Sequence, residues 1–195
     1  INLPVTVHAQ PIADFTFTSV CEGNNVNFTD ASTIVNGTIA TWDWNFDGPG
    51  TSNVQNPTQM FATENVYNVE LIVETGAGCA DTIVIPVDIY PNPVADFTPQ
   101  SVCLNVPVNF GDASTVSNTN TANNIVQWDW DLDIATSTLQ NPPAQTYTVA
   151  GQYTISLTVT TDNGCIDSVL KNVLIVDPPV PAVMGNLFVC AGDSA

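Results

Sequence analysis

Positive charge is almost missing from this chain. Among 195 residues Lys171 is the one basic side chain, against 19 Asp and Glu, for a formal net charge of −18. Binding to phosphates requires Lys and Arg, so nucleic acid and anionic membrane surfaces are excluded as partners. The carboxylates have no salt-bridge partners to spare; they must be solvated, screened by salt or bound to cations. Histidine is nearly absent too, with His8 alone. No run approaches the 18 or more apolar residues of a membrane-spanning helix, so direct membrane insertion is not expected. Nor does any segment carry a 3.6-residue hydrophobic period. What remains is rich in Thr, Asn, Val and Asp and punctuated by 14 Pro and 11 Gly, a β-sheet composition. Hydrophobic residues make up 44%, enough for a packed core and too many for an acidic disordered tail.

The chain is internally repeated. "PIADFTFTSVCEGNNVNFTDAST" at 11–33 aligns with "PVADFTPQSVCLNVPVNFGDAST" at 93–115 at a constant offset of 82. After a four-residue insertion the offset is 86, pairing Trp42 with Trp128, Tyr67 with Tyr153, and "GCADTIV" with "GCIDSVL". Such a period exceeds that of helical solenoids and suits whole β-domains in series. "LPVTVHAQP" at 3–11 resembles "IPVDIYPNP" at 85–93, and "NLFVCAGDSA" at 186–195 resembles the opening of a unit. The expected division is therefore 1–10 as the last strand of a preceding copy, 11–92 and 93–178 as complete units, and 179–195 as the start of another. On this reading the chain, which opens without Met or a basic leader, is a segment of a longer array.

Alternation defines the strands. Tyr67, Val69, Leu71 and Val73 share one face of "VYNVELIVET", and Tyr153, Ile155, Leu157 and Val159 share one face of "QYTISLTVTT". Period two over eight residues marks a half-buried antiparallel strand. Short strands with frequent turn signals in units of about 85 residues indicate all-β sandwiches.

These residues resemble the PKD domain, an immunoglobulin-like seven-stranded sandwich. The family pattern W-D-F-G-D-G, N-P-T-x-x-Y, G-x-Y-x-V-x-L-x-V has counterparts in "WDWNFDG" at 42–48, "QNPTQMF" at 55–61 and "VYNVELIV" at 66–73. In the second unit they are "WDWDLD" at 128–133, "QNPPAQTY" at 140–147 and "GQYTISLTV" at 151–159, where "DIATST" replaces the Gly-Asp-Gly turn and implies a reshaped loop. The resemblance covers both units almost end to end. With its recurring "SVC" and "GC-x-D-[ST]" segments the chain is similar to PKD tandems of very large secreted surface proteins of Bacteroidota, including gliding adhesins. It implies an all-β array of tandem immunoglobulin-like (PKD) sandwiches at the extracellular cell surface. The implied role is a non-enzymatic stalk or filament in adhesion. Neighbouring repeats would be its partners, together with surface polysaccharide or other cell-surface proteins. The alternative is a spacer or carbohydrate-binding module of a secreted polysaccharide-degrading enzyme.

Candidate sites divide by chemistry. In "WDWNF" alternation turns Trp42, Trp44 and Phe46 inward and Asp43, Asn45 and Asp47 outward, so the Trp residues read as core rather than as a sugar-stacking platform. Asp43 and Asp47 in unit one, and Asp129, Asp131 and Asp133 in unit two, could surround Ca²⁺ with hard oxygen ligands. Solvated outward carboxylates are the competing reading, because the spacing lacks the D-x-[DN]-x-[DN]-G order of a calcium loop. No cofactor is otherwise implied. Hydrolytic catalysis finds no Ser or Cys with a His in its own unit, and His8 corresponds to Tyr90 in the repeat. Asn27 and Asn36 begin N-glycosylation sequons, Asn27 within a predicted strand. Thr82 and Ser168 fit the Asp-[Ser/Thr]-aliphatic acceptor pattern for O-glycans, a pattern that structural repetition explains equally well.

Five cysteines remain. Too few ligands surround them for a metal centre. In an exported array the economical assignment is one disulfide per repeat, Cys21–Cys79 and Cys103–Cys165, with the partner of Cys190 outside the sequence. One obstacle stands: in simple immunoglobulin order the two turns lie at opposite ends of the sandwich, so one Cys must sit along a strand. The junctions "HAQP", "YPNP" and "VDPPVP" are Pro-rich and imply short, stiff, extended connections. Small-angle scattering from residues 1–195 is accordingly expected to show an elongated two-unit particle with restricted bending; a broad ensemble of inter-unit angles would contradict that expectation.

Overall fold

The computed structural model describes residues 6–117 and 119–179. The described residues contain β-strands and turns and no helix, hence no helix able to cross a membrane. They form two compact units, one of residues 6–91 with 119–122, the other of 92–117 with 123–179. Most of the segments expected to belong to flanking copies, and Cys190 with them, lie outside the described residues. Residues 6–10 form no strand; on the repeat reading their sheet partners would belong to another copy.

The first unit contains β1 (Phe15–Thr16), β2 (Val20–Cys21), β3 (Asn25–Asn27), β4 (Thr29–Asp30), β5 (Ile39–Asn45), β6 (Thr51–Ser52), β7 (Thr58–Met60), β8 (Asn65–Thr75) and β9 (Ala80–Tyr90). Its main sheet runs β2-β9-β8-β5-β6, antiparallel except where β2 joins β9 in parallel. The facing layer is made of two short antiparallel pairs, β1 with β4 and β3 with β7. The second unit repeats this plan with β10 (Pro93–Val94), β11 (Val102–Cys103), β12 (Pro107–Val108), β13 (Thr115–Val116), β14 (Ile125–Asp131), β15 (Thr136–Ser137), β16 (Gln145–Thr146), β17 (Gly151–Thr161) and β18 (Ile166–Val176). Its main sheet is β11-β18-β17-β14-β15, faced by β10 with β13 and β12 with β16. The same register shift interrupts β5 between Ile39 and Thr41 and β14 between Ile125 and Gln127.

The alternation predicted for β8 is realised: Tyr67, Val69, Leu71 and Val73 are buried against Phe15, Val26 and Phe28 of the facing layer. Ile155, Leu157 and Val159 do the same in β17, with Tyr153 half-buried at the core's edge. Trp44 and Phe46 are buried and Trp42 packs against the same core, while Asp43, Asn45 and Asp47 are exposed. The Trp-rich phrase is therefore a core strand.

The two cores differ in filling. Phe28 meets five rings, those of Phe15, Phe17, Trp44, Phe46 and Phe61, with centroids 5.3–6.4 Å away. Among the described residues its counterpart Phe110 meets two rings, Phe97 and Trp130, and Leu132 and Pro99 occupy the positions of Phe46 and Phe17. The turn after the Trp strand is also reshaped, as the loss of the Gly-Asp-Gly sequence implied. Phe46 N–H reaches Gly50 O at 3.1 Å, whereas Leu132 N–H closes one residue sooner on Ala135 O at 2.8 Å. Both turns keep an aspartate in the left-handed region, Asp47 at φ 58° and Asp133 at φ 67°. Each is steadied by the side chain two residues earlier: Asn45 Oδ1 accepts from Asp47 N–H (3.1 Å) and Asp131 Oδ1 from Asp133 N–H (2.9 Å).

Truncating a buried Phe costs about 3–5 kcal/mol. Phe28→Ala should fall at the top of that range and Phe110→Ala at the bottom, read from denaturant unfolding of each variant. Equal losses would show that the extra aromatic contacts of the first unit contribute nothing.

Candidate functional site

The repeated phrases converge on one carboxylate per unit. Asp30 ends β4 in the facing layer, and its side chain crosses to the main sheet. Asp30 Oδ2 accepts from Trp42 Nε1–H at 2.7 Å and from Gln55 Nε2–H at 3.0 Å, while Oδ1 accepts from Ser32 N–H at 2.9 Å. The Asp30 N–H donates to Asn56 Oδ1 at 2.9 Å. Ser32 Oγ in turn donates to Asp14 O and accepts from Asp14 N–H, both at 3.1 Å. In the second unit Asp112 receives Trp128, Gln140 and Ser114 at 2.8, 3.0 and 2.9 Å, and its N–H donates to Asn141 Oδ1 at 3.2 Å. "DAS", "WDW" and "QN" are thus three parts of one clamp. Burial works against the charge of Asp30, but hydrogen bonds from Ser32, Gln55 and Trp42 outweigh it and hold the carboxyl below its ordinary 3.8. Asp112 is lowered in the same way, with Ser114, Gln140 and Trp128 overcoming burial.

The second Trp of each phrase is tied elsewhere. Trp44 Nε1–H donates to Val54 O (2.9 Å) and Trp130 Nε1–H to Leu139 O (3.0 Å). All four indoles therefore donate within the protein. In the second core Tyr147 replaces Phe61 and its hydroxyl donates to Leu132 O at 2.9 Å; burial, then Asp133 and Tyr153, push its pKa up to about 12.

A further pair of aspartates fixes the start of each unit. Asp81 Oδ2 accepts from Ala13 N–H and Asp167 Oδ2 from Ala95 N–H, each at 2.8 Å. This gives "GC-x-D-[ST]" a structural meaning: its Asp binds the Ala of "P-x-A-D-F". The sequence reading paired these residues but assigned them no role. Thr82 and Ser168, the expected glycan acceptors, follow those aspartates on exposed positions of β9 and β18, and Ser168 Oγ lies 2.8 Å from Thr158 Oγ1. Lys171 binds Asp96 and Phe97 O and stands 5.3 Å over the Phe97 ring.

The expected calcium ligands are not gathered. Asp47 Oδ2 accepts from Asn68 N–H at 2.9 Å, Asp129 Oδ2 from Gln127 Nε2–H at 2.6 Å, and Asp131 from Asp133 as above. Asp43 is exposed on β5. Among the described residues no three His, Cys, Asp or Glu side chains come together as a metal site. Strand alternation puts these aspartates on an outer face but does not curl them around a point.

The cysteine pairing expected within each repeat is corrected. Cys79 is a free thiol, so Cys21–Cys79 is not formed. Cys21, Cys103 and Cys165 are all disulfide-bonded. Cys103 lies beside Val176, at the far end of β18 from Cys165, which directly precedes Ile166. Ten strand residues at about 3.3 Å each separate the two ends by roughly 33 Å, whereas disulfide-linked Cα atoms stand about 4.4–6.8 Å apart. Cys103 and Cys165 are therefore not partners. The obstacle of opposite ends prevails because neither cysteine moves inward along a strand.

Fold and clamp together define tandem immunoglobulin-like sandwich modules. The PKD domain family model matches residues 8–89 and again 90–176. The chain belongs to the PKD domain family. It is similar to the PKD1 domain of the Vibrio cholerae metalloprotease PrtV, with 28% identity over 41% of this chain and 96% of that one and a TM-score of 0.38. It also resembles carbohydrate-binding modules of the β-sandwich superfamily (15% identity, 86% of each chain, TM-score 0.41). A third likeness is to a 1.5-MDa bacterial ice-binding adhesin (10% identity, 87% of this chain, 66% of that one, TM-score 0.41). PKD domains are typically non-catalytic modules.

The lowered pKa of Asp30 and Asp112 sets an acid limit. A folded-state pKa below the unfolded value adds stability above the unfolded pKa and loses it as pH falls through the folded value. Melting temperature should therefore hold between pH 5 and 8 and drop below about pH 4, near the ordinary Asp value. Asp30→Asn should flatten part of that acid slope; an unchanged slope would remove Asp30 from the account.

Proposed function

We propose that this chain is a non-enzymatic stalk segment of a repetitive extracellular surface protein that acts in adhesion. Its immediate partners are neighbouring repeats of the same chain, with contact to surface polysaccharide or other cell-surface proteins made by other parts of the protein. One observation carries the reading: among the described residues every Trp, Tyr and Phe side chain is buried or half-buried. Each Trp indole N–H is turned to an acceptor within the protein. Sugar-binding sandwiches stack ligands on exposed aromatic faces, and here those faces are spent on the core. The carboxylates repeated between units likewise hold backbone N–H groups and indoles instead of lining a cleft. Disulfides fit an oxidising, extracellular location.

Affinity electrophoresis through gels containing soluble plant, algal and bacterial polysaccharides tests this directly. The chain should migrate as it does in a gel without polysaccharide. Retardation by any of them, with release by its oligosaccharides, would favour the carbohydrate-binding module of a secreted degradative enzyme.

A further inference from the structure

Two Asn-Gly pairs occur in the chain, Asn36-Gly37 in the loop between β4 and β5 and Asn163-Gly164 in the β17–β18 hairpin. In such a pair the glycine nitrogen can attack the preceding side-chain amide, because no Cβ hinders its approach. Both reacting groups belong to adjacent residues, so the step needs no enzyme to bring them together. All four residues are exposed and both glycines take the left-handed region, Gly37 at φ 114° and Gly164 at φ 79°. Accessibility and backbone region therefore do not separate the two pairs. Hydrogen bonding does.

In the hairpin both reacting groups are engaged. Gly164 N–H, the nucleophile, donates to Thr161 O at 3.0 Å. Asn163 Nδ2–H donates to Asn123 Oδ1 at 3.2 Å and to Asp162 Oδ1 at 3.3 Å. The amide is thus held on its neighbours and away from the glycine nitrogen. In the β4–β5 loop, among the described residues, neither the Asn36 side chain nor the Gly37 N–H has a hydrogen-bond partner. Asp47-Gly48 has the same spacing, but its carboxylate is a poor electrophile and already accepts from Asn68 N–H at 2.9 Å.

We propose that Asn36 is a site of spontaneous deamidation, converted through a cyclic imide to isoaspartate and aspartate, while Asn163 is protected by its hairpin. The Gly37 nitrogen gives its proton to hydroxide and bonds to Asn36 Cγ. The side-chain nitrogen takes up a proton and leaves as ammonia, which closes the imide ring. Water then opens the ring at either carbonyl. One product is aspartate; the other is isoaspartate, whose main chain runs through the side-chain carbon. Either adds a negative charge to a chain with a single basic residue, and neither fits the N-glycosylation sequon that Asn36 begins.

The purified chain is held at mildly alkaline pH, digested at mildly acidic pH and read by mass spectrometry with electron-transfer fragmentation, which distinguishes isoaspartate from aspartate. The Asn36 peptide should convert about tenfold or more faster than the Asn163 peptide, since reaction at Asn163 must first break the hydrogen bonds that hold it. In urea, with disulfides reduced and alkylated, the two should convert at matching rates, because the protection belongs to the fold. Equal rates in the folded chain, or faster conversion at Asn163, overturn the proposal. So does a difference that persists in urea, which would trace it to flanking sequence. Asn36→Gln, whose longer side chain closes a larger ring more slowly, should remove the products from that peptide; their persistence would place the reaction at another residue.

Discussion

Each sandwich depends on a carboxylate held between its two layers. Asp30 ends a strand of the minor layer and Asp112 holds the equivalent place by a bridge to Phe97, yet each accepts an indole N–H from the Trp strand of the main sheet, β5 or β14. An indole N–H left without an acceptor in a half-buried position costs about 1–3 kcal/mol, so Trp42 and Trp128 can pack against the core only while the aspartate stays in place. The same carboxylate closes the turn at Ser32 or Ser114 and receives Gln55 or Gln140 from the loop beyond the Trp strand. Three segments far apart in sequence share one acceptor.

This solution follows from the chain's charge. With Lys171 as its single basic residue, paired with Asp96, the protein has no lysine or arginine left to pair with its other carboxylates. It uses neutral donors instead. Asp14 accepts from Phe15 N–H, Asp47 from Asn68, Asp81 from Ala13 and Asp162 from Asn124. Hydrogen bonds to ionised groups contribute more than neutral ones, about 1.5–3 kcal/mol. The excess negative charge is thus partly a set of backbone fasteners. Lys171 serves the second unit alone, since Ile85 holds its place in the first.

Much of this could be read from the sequence. Period-two alternation identified β8 and β17 and their inward faces, and the repeat offset identified which residues are equivalent. The direction of Trp42 and Trp44 followed from alternation in β5. Long-range chemistry was less accessible. Asp30, Asp81, Asp112 and Asp167 were visible as repeated letters, but their acceptor role depends on which strands meet across the sandwich. The signal was there in retrospect: in a chain with a single cationic side chain, an Asp repeated beside a repeated Trp or Ala is a candidate hydrogen-bond acceptor. The cysteines failed for a related reason. Counting two per unit favours an internal bridge, whereas strand length places them roughly 33 Å apart, and only the register shows that β2 and β11 meet the far ends of β9 and β18. The aspartates in and after the Trp strand face outward, and among the described residues no three of them gather at one point.

The central claim is that the Asp30–Trp42 contact stabilises the unit as a pair and not as two independent residues. A double-mutant cycle with Asp30→Ala, Trp42→Phe and the double variant, measured by denaturant unfolding, isolates that term. A coupling of about 1 kcal/mol or more is predicted, with Trp42→Phe costing much less once Asp30 is gone. Strictly additive losses would mean that the indole and the carboxylate act separately, and the clamp would not be what joins the layers.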